Sequence, residues 1–360
     1  MKISINCKKI EGPDGGVIAF SRSLEKFARK EGHRFIHNLN DNDIDIIIIA
    51  SYSIWSTASY AYLDARAYKL KHPKTVIVHR INECDERKGT TYMNKLLINM
   101  SQHADFLVFI ASWLKPLLEK NGLSKNKPSE VILNGADENI FNRKEKQFWD
   151  KKEKLKIVTH HWGGNYLKGH EIYQRLDKLL DNLNYAEKFE FTFIGNYPVD
   201  LKYKNTITKS PLSGITLANE LKKHHIYLTA SLNEPAGMHH IEGAMCGLPM
   251  LYINSGALPE YCEGYGIEFN RENFEEKLNE IRDNYDFWTE KVEKYNKTAE
   301  KMCNAYFKLF ERLYEDRDNF KFHYKLMLPK SFYYLFLKIE SFFDNYILRI
   351  KILRNTRRIK

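Results

Sequence analysis

No apolar run in this 360-residue chain approaches the roughly 20 residues needed to span a bilayer; the longest near the C-terminus is Phe332 to Leu337. The opening residues, MKISINCKKI, lack the long apolar segment of a secretory signal and read as a first strand. Cysteine is scarce. Cys7, Cys84, Cys246, Cys262 and Cys303 are scattered and odd in number, which argues against a disulfide framework or structural zinc and for a reduced, cytoplasmic setting. Low-complexity segments and short internal repeats are missing. So is GxGxxG, which counts against a nicotinamide dinucleotide. His160, His161 and His170 lack metal-type spacing, so no metal is expected.

The formal charge is +10, but nine lysines and arginines against Glu340 and Asp344 fall between Lys325 and Lys360, which leaves the rest of the chain near neutral. A basic stretch confined to a tail does not describe a nucleic-acid-binding domain. In that tail Phe332, Leu335, Phe336, Ile339, Phe342, Phe343, Tyr346, Ile350 and Leu353 recur at three- and four-residue steps, with most charges elsewhere on the wheel. Such a helix suits an anionic membrane surface through residues 330–360, which would make the protein peripheral. The alternative is docking on its own protein or on a second subunit.

Short β-rich runs alternate with helical patterns over the first 140 residues: Lys2 to Asn6, Ile44 to Ala50, Thr75 to His79, Phe106 to Ile110 and Val131 to Leu133. After a polar, lysine-rich stretch between Phe141 and Lys154 the alternation restarts, with strands at Leu155 to Thr159, Phe189 to Ile194, Ile226 to Ala230 and Met250 to Ile253. The fold class is therefore α/β, with two doubly wound, Rossmann-like domains facing a cleft and a helical C-terminal extension. The expected boundaries are 1–145, 146–325 and a basic, aromatic amphipathic tail at 326–360. Helices between Phe274 and Lys325 are expected to pack on the second domain.

Four stretches carry chemistry. Gly12 to Gly16, GPDGG, lies between the first strand and a helix, where Gly15 and Gly16 let backbone amides approach an anion. His79 is read at the end of the strand KTVIV, opening a polar loop with Arg80, Asn82, Asp85 and Arg87. Thr159 to Glu171, THHWGGNYLKGHE, follows the first strand of the second domain and offers Lys168 and free amides to a diphosphate. Glu234 and Glu242, eight positions apart in EPAGMHHIEGAMCGLP, flank a helix N-terminus. Amides there favour an anion and the carboxylates suit hydroxyl groups, a combination that fits a phosphorylated sugar. A capping carboxylate and a surface glutamate would give the same spacing.

EPAGMHHIEGAMCGLP resembles the glutamate-x7-glutamate signature of retaining GT-B glycosyltransferases of family 4. GPDGG, ILNGADENIF (Ile132 to Phe141), FTFIGN and SGALPE match further family landmarks in order, so the resemblance covers residues 2 to about 300. It implies a UDP- or GDP-sugar donor held mainly by the second domain, with no bound cofactor, and a glycan or lipid-linked acceptor held mainly by the first. A hexose would be transferred with retention in surface polysaccharide or glycoconjugate synthesis. It also implies that Glu234 touches the transferred sugar, Glu242 holds the ribose, amides from Ala236, Gly237 and Met238 meet the sugar or diphosphate, and Lys168 binds the diphosphate. His79 takes the place of the family's histidine near the reacting sugar. The family's arginine five positions before the lysine is replaced by Gly163, leaving Asn165 or Arg80 as candidates to share the phosphate charge. Alternatives are a GT-B nucleotide-sugar epimerase or hydrolase, or a non-catalytic glycan- or lipid-binding protein on a transferase scaffold.

Overall fold

The computed structural model describes residues 1–10, 15–320 and 330–358, with the side chains of 330 and 355–358 excepted; Gly12, Pro13 and Asp14 of the glycine-rich turn lie outside the described residues. Packing divides the chain into two units. The first comprises residues 1–10, 17–133 and 302–360, and the second residues 11–16 and 134–301.

The first unit is built on β1 (Lys2–Ile5), β2 (Arg34–Ile36), β3 (Ile46–Ile49), β4 (Val76–Ile81), β5 (Phe106–Phe109) and β6 (Ser129–Val131), ordered β2-β1-β3-β4-β5-β6 with every pairing parallel. The four consecutive isoleucines of β3 are all buried, as a strand covered by helices on both faces requires. The second unit is built on β7 (Leu155–His161), β8 (Phe189–Gly195), β9 (Ile207–Lys209), β10 (Ile226–Thr229), β11 (Met250–Ile253) and β12 (Gly266–Phe269). Its order, β12-β11-β10-β7-β8-β9, is again wholly parallel. Counted within the unit, this is the doubly wound order 3-2-1-4-5-6, whose chain reverses direction across the sheet between β7 and β10.

Three placements differ from the sequence reading. The first is β4, which runs on through His79 and Arg80 to Ile81 because His79 pairs with Ile49 on one side and Leu107 on the other. His79 is thus interior to the strand rather than at its carboxyl end. Its ring is buried, Nδ1 stands 3.0 Å from Ser101 Oγ, and burial pushes its pKa down to about 3. Arg80, on the opposite face, is buried with its guanidinium 4.0 Å over the Phe20 ring, so it is part of the first unit's core.

The second is the helix Ala299–Glu315. From Met302 onward it packs on the first unit, where Tyr306, Phe307 and Phe310 join a core shared with Ile3, Ile5, Phe20 and Phe27. Its apolar stripe finds the uncovered face of the helix Gly16–Lys30, with Phe20 against Tyr306 at 5.0 Å and Phe27 against Phe307 at 5.1 Å. The third is a helix: helix-compatible apolar spacing runs from Trp55 to Leu70, but the helix itself is Tyr62–Lys71. The last described helix, Lys330–Arg358, also belongs to the first unit.

On the helix Gly16–Lys30, Glu25 accepts hydrogen bonds from Lys9 Nζ (2.8 Å), Arg29 (2.7 Å) and His37 Nε2 (3.0 Å). Burial alone would raise its pKa, but these donors outweigh it and hold the carboxyl at about 2, below its ordinary value of 4.5. A depressed carboxyl stabilises the fold above the ordinary value, and that contribution is lost as pH falls from 4.5 toward 2. We expect denaturant midpoints to fall across that window in wild-type protein, and Glu25→Gln to flatten the fall; unaltered acid sensitivity in the variant would show the cluster to be inert.

Candidate active site

The site assembles where β7 and β10 end side by side, the switch point at which doubly wound sheets bind ligands. Beyond β7 a short 3-10 turn, Tyr166–Lys168, carries Lys168, with Asn165 just before it accepting from the Lys168 amide at 3.0 Å. Gly169 closes the turn with φ 95°, and a Cβ there would come within 2.5 Å of Ala230 at the end of β10. Only glycine permits both the conformation and the approach, which brings the lysine back over the neighbouring strand.

Beyond β10 comes Glu234, buried. Its Oε2 accepts from Ser231 Oγ at 2.7 Å and stands 3.1 Å from Lys168 Nζ. Burying these charges is tolerable because the ammonium donates to the carboxylate and the carboxylate also accepts from Ser231. The backbone of Glu234 is fixed from below by the SGALPE loop. Gly256, at φ 60°, lies so close that a Cβ would come within 2.5 Å of the Glu234 backbone, and the Ala257 amide donates to Glu234 O at 2.8 Å. From the ILNGADENIF segment, Asn134 Nδ2 donates to Ala236 O at 2.9 Å, and the Tyr261 hydroxyl accepts from the Asn134 amide at 2.6 Å.

The helix Met238–Met245 starts at Gly237, so the amides of its first turn point back toward Glu234. One turn on, Glu242 Oε2 accepts from His160 Nε2 at 2.8 Å, while the Tyr227 hydroxyl lies 3.0 Å from His160 Nδ1. The carboxylate therefore fixes the proton of His160 on Nε2. Around this pair lie further histidines. Burial, and after it the charge of neighbouring groups, lowers the pKa of His161 and His239 far below the ordinary value; burial pushes His240 to about 3. These rings are neutral at physiological pH.

The structure thus gathers Lys168, Glu234, Ala236, Gly237, Met238 and Glu242 at one set of strand ends, with Asn165 at the start of the turn that carries the lysine. Gly16 lies against the same helix start, since a Cβ on it would meet the Met238 side chain at 3.4 Å, whereas a Cβ on Gly15 would meet nothing within 4 Å. Arg80 and His79 are core residues of the first unit. Sequence reasoning passed over His160, Ser231 and Asn134 as individual contributors. For His160 the signal was present: a polar residue at the carboxyl end of the strand beside the switch point. Gly163 lies next to Lys168, its virtual Cβ 4.0 Å from the lysine Cε. Among the described residues no group of three or more His, Cys, Asp or Glu side chains is arranged to hold a metal ion.

No protein-family model matches the chain, and no curated protein matches it by sequence. Solved structures do. Anabaena HepE in complex with UDP-glucose aligns with a TM-score of 0.64 at 11% identity over 87% of this chain and 100% of that one. The lipopolysaccharide outer core galactosyltransferase WaaB, in its apo form, gives a TM-score of 0.57 at 14% identity over 87% and 100%. The pneumococcal O-GlcNAc transferase GtfA, in complex with UDP and GlcNAc, gives 0.54 at 12% over 81% of this chain, which spans 59% of the GtfA chain. The fold is GT-B. Both Rossmann-like units of the GT-B fold are present, and the glutamate pair lies at the switch point of the second.

Gly237 has room for no side chain: a Cβ would stand 2.5 Å from His239 Nδ1 and 3.0 Å from Glu234 Oε1. Gly237→Ala should therefore destabilise the protein by about 1–3 kcal/mol in denaturant unfolding, while Gly15→Ala should leave it unchanged. Equal stability of the two variants would contradict this packing.

Proposed function

We propose that this protein is a glycosyltransferase that moves a hexose from a nucleoside diphosphate sugar to a glycan or lipid-linked acceptor with retention of configuration. The observation that carries the reading is the 3.1 Å approach of Lys168 Nζ to Glu234 Oε2 at the start of the helix that bears Glu242. One cation and one set of helix amides then lie beside a first carboxylate, with a second carboxylate one turn along the helix. That order matches a donor whose diphosphate is flanked by two polyols, the transferred sugar at Glu234 and the ribose at Glu242.

In this reading the ammonium of Lys168 and the amides of Ala236 to Met238 stabilise the negative charge that grows on the diphosphate as the glycosidic bond breaks. Donors fixed in advance at a departing phosphate act where charge develops, and each contributes a few kcal/mol. Glu234 accepts hydrogen bonds from the sugar hydroxyls and orients the anomeric carbon. The acceptor hydroxyl attacks from the face the diphosphate leaves, and a departing phosphate oxygen takes its proton, so configuration is retained without a protein nucleophile. His160 is a positioning residue: it holds the Glu242 carboxylate in the rotamer that presents its other oxygen to the ribose. The arginine missing at position 163 leaves Lys168 as the main cation of the phosphate clamp, with Asn165 beside it. UDP sugars are the first donors to try, since HepE was crystallised with UDP-glucose.

Glu234→Gln and Lys168→Met should each lower kcat by about 10² while the fold, checked by circular dichroism, persists. Glu242→Gln should weaken UDP binding by about tenfold or more, read by calorimetry, because a charge-assisted hydrogen bond is lost. Wild-type turnover in the first two would defeat the assignment. Acceptor-independent consumption of donor would indicate an epimerase or hydrolase, and binding without turnover a non-catalytic protein.

A thermal-shift panel of UDP, GDP and their sugars offers a second check. A matching nucleotide at 100 times its Kd stabilises by about 2.7 kcal/mol, and a panel without any shift would count against a nucleotide-sugar donor.

A further inference from the structure

The helix Lys330–Arg358 has two apolar faces. Leu337, Ser341 and Leu348, spaced four and seven apart, are buried against the first unit. Polar contacts fix the same side: the Tyr62 hydroxyl donates to Asp344 Oδ2 at 2.6 Å, Lys338 Nζ donates to Asp64 Oδ1 at 2.6 Å, and Trp55 Nε1 donates to Asn345 O at 2.9 Å. The orientation of the helix on its unit is thereby set.

Roughly half a turn around the helix from this seam lie Phe332, Phe336, Ile339, Phe342, Phe343 and Tyr346, between 48% and 69% exposed. Leu335 and Leu353 extend the row. From Phe332 to Leu353 the stripe runs about 30 Å. So long an exposed aromatic row is more than the scattered apolar residues of an ordinary surface. The charges are sorted too. Both carboxylates of the helix, Glu340 and Asp344, are partly buried, whereas Lys338, Arg349, Lys351 and Arg354 are exposed; Arg349 and Arg354 border the aromatic row, and Lys351 turns toward the Tyr92 ring at 5.7 Å. Arg349 lies 4.4 Å over the half-exposed ring of Trp55, which adds an amphipathic aromatic to the same edge. Among the described residues no helix is long and apolar enough to cross a membrane.

We propose that this outer face seats on an anionic lipid surface, the aromatic row entering the headgroup–acyl boundary and the flanking cations meeting lipid phosphates. An apolar stripe bordered directly by Arg349 and Arg354, with both carboxylates set back from it, is complementary to such a surface. A second copy of the same face would bring cation against cation. The helix therefore works as an adaptor whose inner face holds the protein and whose outer face holds the lipid. This does not depend on the transferase reading, since it rests on a different unit from the glutamate pair.

The test is co-sedimentation of the full chain with phosphatidylglycerol/phosphatidylcholine vesicles and with phosphatidylcholine alone. Wild-type protein should pellet with the anionic vesicles, and less so as salt is raised. Phe336→Ser/Phe343→Ser should reduce the partition coefficient by about tenfold or more with unchanged circular dichroism, and Arg354→Gln by about fivefold. Wild-type protein staying in the supernatant, or variants that pellet like wild type, would overturn the proposal. So would a concentration-dependent dimer in vesicle-free buffer that the phenylalanine substitutions dissolve, because the face would then belong to a second copy.

Discussion

A carboxylate buried at the end of a parallel strand is unfavourable unless every neighbour answers its charge. Glu234 meets that condition with Lys168 Nζ at 3.1 Å, Ser231 Oγ at 2.7 Å and a helix N-terminus starting three residues on. Much of the second unit's local structure follows. Gly169 turns the lysine back over β10, Gly237 leaves room for the carboxylate, and Gly256 lets the SGALPE loop lie against its backbone. These glycines are spread over almost ninety residues of sequence, yet each removes a side chain from one small volume. The doubly wound topology makes the convergence possible, because β7 and β10 are neighbours in the sheet and distant in the chain.

The fold was legible because fully buried strands are written as apolar runs, as at Ile46 to Ile49 and Met250 to Ile253, and because Phe189 to Ile194 alternates with a strand's period of two. β2, β9 and β12 escaped notice. They are three- or four-residue edge strands with polar or exposed residues, and pairing on one side only leaves little trace in composition. At the site, Glu234, Glu242 and Lys168 were legible because their spacing sits on a glycine-punctuated motif. His160 was half legible: its place near the strand's carboxyl end could be read, but its partner Glu242 lies eighty-two positions later, and no local pattern encodes that distance. His79 shows the opposite failure. A strand end judged from hydropathy stops at the first polar residue, but β4 continues through His79 and Arg80 because Ser101 and Phe20 receive them from the two faces.

The tail was ambiguous for a physical reason. A helix that is apolar on two opposite sides satisfies both a docking and a surface-seeking pattern, and periodicity alone does not say which side meets which partner. The structure separates them: Leu337 and Leu348 face the first unit, and the aromatic row faces away. The cationic residues, which in the sequence look like a single basic block, divide between contacts to Asp64, Trp55 and Tyr92 and the open flanks of the helix.

The return of residues 302–313 to the first unit bears on biogenesis. Tyr306, Phe307 and Phe310 complete the core that Ile3, Ile5 and Phe27 begin, so the first unit encoded is the last to be finished. At about 5–20 residues per second, the early strands wait on the order of tens of seconds for their covering helix to leave the ribosome, while the second unit already has all of its strands. The N-terminal half of this protein is therefore the interval in which a nascent chain is exposed to aggregation or in need of a chaperone. A stop codon shortly after residue 301 would spare every strand and yet leave the oldest part of the protein without its cover.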